Sequence, residues 1–111
     1  MKMEPTPDEI RSELEAITAE YIATAVPEPD GPADLNNGFC NAVAADLLDA
    51  LDEPAGAVIH EAFSRNARHQ WLEVDGRHYD AEVPAGVDDF EDLPIWSRTG
   101  APDEPEPVTV A

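Results

Sequence analysis

Asp75-Gly76 is the tightest constraint in the chain. This dipeptide separates two alternating segments, His69-Gln-Trp-Leu-Glu-Val74 and Arg77-His-Tyr-Asp80, and Asp-Gly suits a two-residue turn whose central residues both need positive φ. Such a turn pairs Val74 with Arg77, Glu73 with His78, Leu72 with Tyr79 and Trp71 with Asp80. The period of two then puts Leu72, Val74 and Tyr79 on one face, and His69, Trp71, Glu73, His78 and Asp80 on the other. Asp80 becomes the diagonal neighbour of His69 at roughly 7–8 Å between backbones, near enough for the carboxylate to orient the imidazole. A three-residue turn would instead pair Val74 with His78 and carry Asp80 to the opposite face.

The remaining elements follow from local signals. Thr6-Pro7-Asp8-Glu9 reads as a helix start, with Thr6 as cap, Pro7 in the first turn and Glu9 able to close a capping box. Ile10, Leu14, Ile17 and Tyr21 continue it at helical spacing to Ala23 or Ala25. Pro27 to Pro32 breaks the helix. Asn36-Asn37-Gly38 then offers a cap for a second helix, whose apolar stripe is Phe39, Cys40, Val43, Ala44, Leu47, Leu48 and Leu51 and which ends near Asp52. Ala57–Phe63 reads as a strand, Asp88–Leu93 as a helical turn, and Pro94-Ile95-Trp96 as a segment packed back on the body. The expected architecture is α+β, two helices on an antiparallel sheet of three or so strands. It occupies residues 1–98 as one domain, followed by an acidic, proline-rich tail over 99–111 expected to be disordered.

Charge narrows the function. The 111 residues include 25 acidic and 6 basic side chains, a net charge of −19, with Lys2 the sole lysine. Nucleic acids and anionic membranes are poor partners for such a surface. The acids are spread along the chain, which favours adaptation to a salty cytoplasm, where ions screen self-repulsion, over an acidic decoy for basic partners. Cys40 is the only cysteine, so no intrachain disulfide forms, and no zinc-finger spacing or signal-peptide core is present. These features predict a cytoplasmic protein of a high-salt organism, with no cofactor.

Cys40 falls in the first turn of its helix, where unpaired amides and the helix dipole favour negative charge. With His69 and Asp80 it provides the residue types of a nucleophile, a base and an orienting carboxylate. Backbone amides near Cys40 are candidates to face an oxyanion, with Asn37 as a further contact and Trp71 as a wall of the site. Taken singly, each residue has a plainer reading: Cys40 as a small core side chain, His69 as a partly buried strand residue, Asp80 as a surface charge. Asp34 and Asp46 would oppose a thiolate. A metal site is the rival use of the same residues, but His69 and His78 are about 13 Å apart along the hairpin at roughly 3.3 Å per residue, too far to share an ion. Cys40, His69 and Asp80 remain a conceivable ligand set. His60 and His78 are read as structural.

The segment from Asn37 to Pro84 resembles the core of the transglutaminase-like branch of papain-like thiol enzymes. The resemblance rests on Gly38-Phe39-Cys40 opening a helix, the Val58-Ile59 strand, His69-Gln-Trp71-Leu-Glu73-Val74, the Asp75-Gly76 turn and Tyr79-Asp80. It implies catalytic Cys40, His69 and Asp80 acting through a thioester on a peptide or protein amide, chiefly by hydrolysis. The sequence departs from the pattern at Ala81, where the family often has proline. Its small size keeps open the alternative of a non-catalytic, protein-binding domain of the same fold. Oligomeric state is not set by these features.

Overall fold

A computed structural model describes residues 5–25, 29–36 and 38–108. Helix α1, Pro7–Thr24, starts as its sequence directs, with Thr6 Oγ1 accepting from the Glu9 amide at 3.1 Å. After the proline-rich break comes a four-residue turn of helix, α2, Pro32–Leu35, which buries Leu35. Helix α3, Cys40–Ala50, begins one turn later. The expected Asn36-Asn37 cap is not seen there: Phe39 is the capping residue and makes no side-chain bond, while the Asn36 side-chain Nδ2 donates instead to Glu82 at 3.1 Å. Asn37 lies outside the described residues.

Strands β1 (Ala57–Phe63), β2 (Arg68–Val74) and β3 (Arg77–Tyr79) form an antiparallel meander. The hairpin adopts the two-residue register, Leu72 opposite Tyr79 and Val74 opposite Arg77, with φ of +51° at Asp75 and +84° at Gly76. The extended pairing predicted for Asp80 stops one residue short, because the chain turns after Tyr79: Asp80 Oδ1 accepts from the Glu82 amide and the Asp80 carbonyl from Val83.

Among the described residues the sheet has four strands, in the order β3-β2-β1-β4. The last, β4 (Glu106–Pro107), comes from the segment expected to be a disordered tail. It pairs with β1 because that strand has an open edge. Val108 donates to the Ile59 carbonyl at 2.7 Å, Asp103 donates to the Phe63 carbonyl, and the Phe63 amide donates back to the Asp103 carboxylate. Pro107 is tolerable there since an edge strand needs donors on one side only.

The sheet carries a different core on each face. Ile59, Leu72, Val74 and Tyr79 pack with Ile10, Leu14, Leu35, Val43, Ala44, Leu47 and Leu48 from the helices. On the other face Ala62 and Trp71 pack with Leu93, Ile95 and Trp96. This second layer contains a 3-10 turn at Phe90–Asp92 and helix α4, Ile95–Thr99, so the expected turn and the packed-back segment are both present. Among the described residues, no helix is long and apolar enough to cross a membrane.

Candidate functional site

The site forms where β3 gives out. Pairing between β2 and β3 ends at Leu72 and Tyr79, so the Gln70 amide has no partner from β3 and instead reaches the sulfur of Cys40 at the start of α3. The Asn41 amide, in the first turn of that helix, also donates to the sulfur. These are the unpaired amides that a helix start leaves available.

His69 belongs to the same strand and is fully buried. Its Nε2 lies 2.9 Å from Asp80 Oδ2, and Asp80 is itself almost sealed at 4% exposed. Nδ1 has no regular hydrogen-bond partner. With Nε2 taken, the interaction between His69 and the Cys40 thiol falls to Nδ1. Thiol, imidazole and carboxylate thus come from a helix start, a central strand and the turn after an edge strand.

Charge follows from this geometry. Burial disfavours the His69 cation, but the hydrogen bond it donates to Asp80, the thiol contact and the charges of both outweigh it and push the imidazole up to about 9. Burial also opposes the Cys40 thiolate. The His69 contact and the Gln70 and Asn41 amides overcome that opposition and bring the thiol below its usual range. The two shifts favour a thiolate–imidazolium pair. Asp34 and Asp46, expected to oppose it, point elsewhere: the Asp34 carboxylate accepts from the Asp30 amide, and Asp46 accepts from the Tyr21 hydroxyl at 2.6 Å.

Aromatic rings hold the His69 imidazole. Trp71 stacks on His69 at 5.9 Å between centroids and an interplanar angle of 23°, while Trp96 meets the same ring edge-on at 5.8 Å. Trp71, expected as a wall of the site, is completely buried and lines the packed space beside Cys40 and Asp80. Its Nε1 donates to His78 Nδ1 at 2.9 Å, and His60 Nε2 sits 2.6 Å from Glu73, so the other two histidines serve this second layer. No group of three or more His, Cys, Asp or Glu residues among those described is arranged to hold a metal ion.

Sequence reasoning missed the residues that fix Asp80. Glu82 holds the turn through its amide, and its carboxylate receives Arg98 of α4 and the Asn36 side chain. Nothing in local pattern marks Glu82, whose partners are 16 and 46 residues away. Trp96 carried a signal, an apolar residue after Pro94, but not its place on the His69 ring.

Comparisons with family models, curated proteins and solved structures found no match.

Proposed function

We propose that the protein is a thiol enzyme that transfers acyl groups from an amide or peptide through Cys40, chiefly to water. The observation that supports this most is the linked contact Cys40–His69–Asp80, with base and carboxylate removed from solvent. On this reading the chain is a small member of the transglutaminase-like branch of papain-like thiol enzymes.

The Cys40 thiolate attacks the amide carbon, and the Gln70 or Asn41 amide, already directed at the sulfur, stabilises the oxyanion. As the C–N bond breaks, His69 gives its Nδ1 proton to the leaving amine, and a thioester remains on Cys40. Nδ1 then takes a proton from water, the water oxygen attacks the thioester carbon, and the C–S bond breaks to release acid and thiolate. Asp80 keeps Nε2 occupied, so Nδ1 faces the sulfur throughout. The even spread of acids supports a concentrated salt medium as the setting of this chemistry.

The test is the alkylation rate of Cys40 with iodoacetamide at neutral pH, followed by turnover of mixed peptide amides. Cys40 is expected to react faster than a free thiol, His69→Ala to slow it, and Cys40→Ala to abolish turnover. A second reading, a non-catalytic protein-binding domain of the same fold, draws on the tight packing between Cys40, Trp71 and Asp80, which leaves no room for a water molecule. An inert Cys40 would select it and remove the enzyme.

A further inference from the structure

Two indoles pack on the His69 ring, and they are anchored differently. Trp96 Nε1 donates to the Phe90 carbonyl at 3.0 Å, an acceptor that does not titrate. Trp71 Nε1 donates to Nδ1 of His78 at 2.9 Å. An indole N–H can only donate, so this bond exists only while His78 Nδ1 carries no proton.

The anchored ring matters to the site. Trp71 is completely buried and stacks on both Phe90, at 5.8 Å and 12°, and His69, at 5.9 Å and 23°. Its one polar group is the N–H held by His78. An indole face kept against His69 favours the charged imidazole, and the charged imidazole in turn favours the Cys40 thiolate.

His78 is placed to take up a proton. Its ring is half-buried, while its backbone exchanges two hydrogen bonds with Val87, at 2.8 and 2.9 Å, and pairs opposite Glu73. The ring, and not the strand, has to respond to a change of charge. Burial pushes the imidazole below its ordinary 6.5; His60 of β1, 6.2 Å away between ring centroids, acts in the same direction, and Glu73 of β2 and Asp89 ahead of the 3-10 turn act against it. The flanking charges Arg77 and Asp88 pair with each other at 3.3 Å. A protonated ring carries N–H on both nitrogens, so turning it over restores no acceptor. The Trp71 N–H would then be a buried donor without a partner, which disfavours the stacked position.

We propose that His78 is a positioning residue and an acid switch: neutral, it anchors the Trp71 indole against the His69 ring, and protonated, it releases that indole and relaxes the contact between His69 and Cys40. The consequence for catalysis rests on the thiol-enzyme reading, whereas the coupling of the three rings does not.

The experiment uses the full, isotope-labelled chain in enough KCl to keep it folded. The indole N–H signals of the two tryptophans and the histidine ring signals are followed from about pH 8 to about pH 5, the span in which histidines change charge. The Trp71 signal is expected to move with the midpoint of the His78 ring, and the Trp96 signal to stay still. The His69 ring, which keeps its own proton across this span, should shift with the His78 midpoint. His78→Asn retains an uncharged acceptor near the Nδ1 position. Its Trp71 signal should not move, and its Cys40 should alkylate about fivefold faster than the wild type at the acid end, the scale of one buried hydrogen bond. His78→Phe has no acceptor at any pH and should show the wild type's acid behaviour already at neutral pH. A Trp71 signal that ignores the His78 midpoint would overturn the assignment, and so would, with a reactive Cys40, a His78→Asn alkylation profile superimposed on that of the wild type. Coupled ring signals with an inert Cys40 would retain the switch and remove the enzyme. A reactive Cys40 with uncoupled rings would do the reverse.

Discussion

His69 Nε2 lies 2.9 Å from Asp80 Oδ2, with the His69 side chain fully buried and that of Asp80 nearly so. A buried charged pair is costly unless its remaining valences are met. Here Asp80 Oδ1 accepts from the Glu82 amide, and the free ring nitrogen is left toward the thiol. The pair thereby fixes which nitrogen of the base is available.

The pH dependence follows. Because the Cys40 thiol is lowered, alkylation should persist below the range of an ordinary cysteine and fade only as the thiolate is protonated. Amide turnover needs the imidazolium as well, so it should fall as pH rises through about 9 while alkylation stays high. Folding carries the same signature. The folded value for His69 exceeds its ordinary 6.5, so the stability it contributes is complete below 6.5 and is lost as pH rises through about 9. Rate profiles and denaturant midpoints across this window check both; identical profiles for alkylation and turnover would contradict the assignment of His69 as acid.

Asp80 separates charge from packing. Asp80→Asn keeps a polar partner for Nε2 but withdraws the negative charge, so the protein should fold, the imidazole should titrate lower and Cys40 should alkylate more slowly at neutral pH. Asp80→Ala strands a buried imidazole and should cost about 3 kcal/mol, typical of breaking one side of a buried pair. Denaturant unfolding together with alkylation rates distinguishes the two variants.

The edge strand is open to a simpler test. Truncation after Gly100 removes the bonds from Asp103 and Val108 to β1, and should lower stability by about 1–2 kcal/mol, the net value of a few exposed ladder bonds. It also uncovers an edge flanked by exposed Val58 and Phe63. Light scattering should therefore register association that the full chain does not show.

Salt acts on the whole molecule. With a net charge of −19, self-repulsion opposes the folded state, and the Debye length shrinks from about 10 Å at 0.1 M to about 3 Å at 1 M. The melting temperature should climb with KCl into the molar range. A fold indifferent to KCl would remove the reading of the acids as salt adaptation.

Local chemistry was enough for much of the frame. Thr6-Pro7 starts α1, Asp75-Gly76 fixes the hairpin register, and that register brings His69 and Asp80 to one face, because turn geometry and strand alternation act within a few residues. The helix start at Cys40 was legible too, though its cap was not, since Asn36 is claimed by Glu82 far along the chain.

Tertiary structure decided the rest. It drew the acidic end into the sheet as β4, because an open strand edge supplies donors and acceptors that composition cannot reveal. It turned the chain after Tyr79 so that Asp80 is held by Glu82, and it stacked Trp71 on the His69 ring and set Trp96 edge-on to it. It also set Nδ1 of His69, left without another partner, toward the Cys40 sulfur. The sequence by itself determined which residues could form a nucleophile, base and carboxylate. Only packing between α3, β2 and the turn after β3, distant in sequence, decided that they meet, because contacts of that range depend on how whole elements dock.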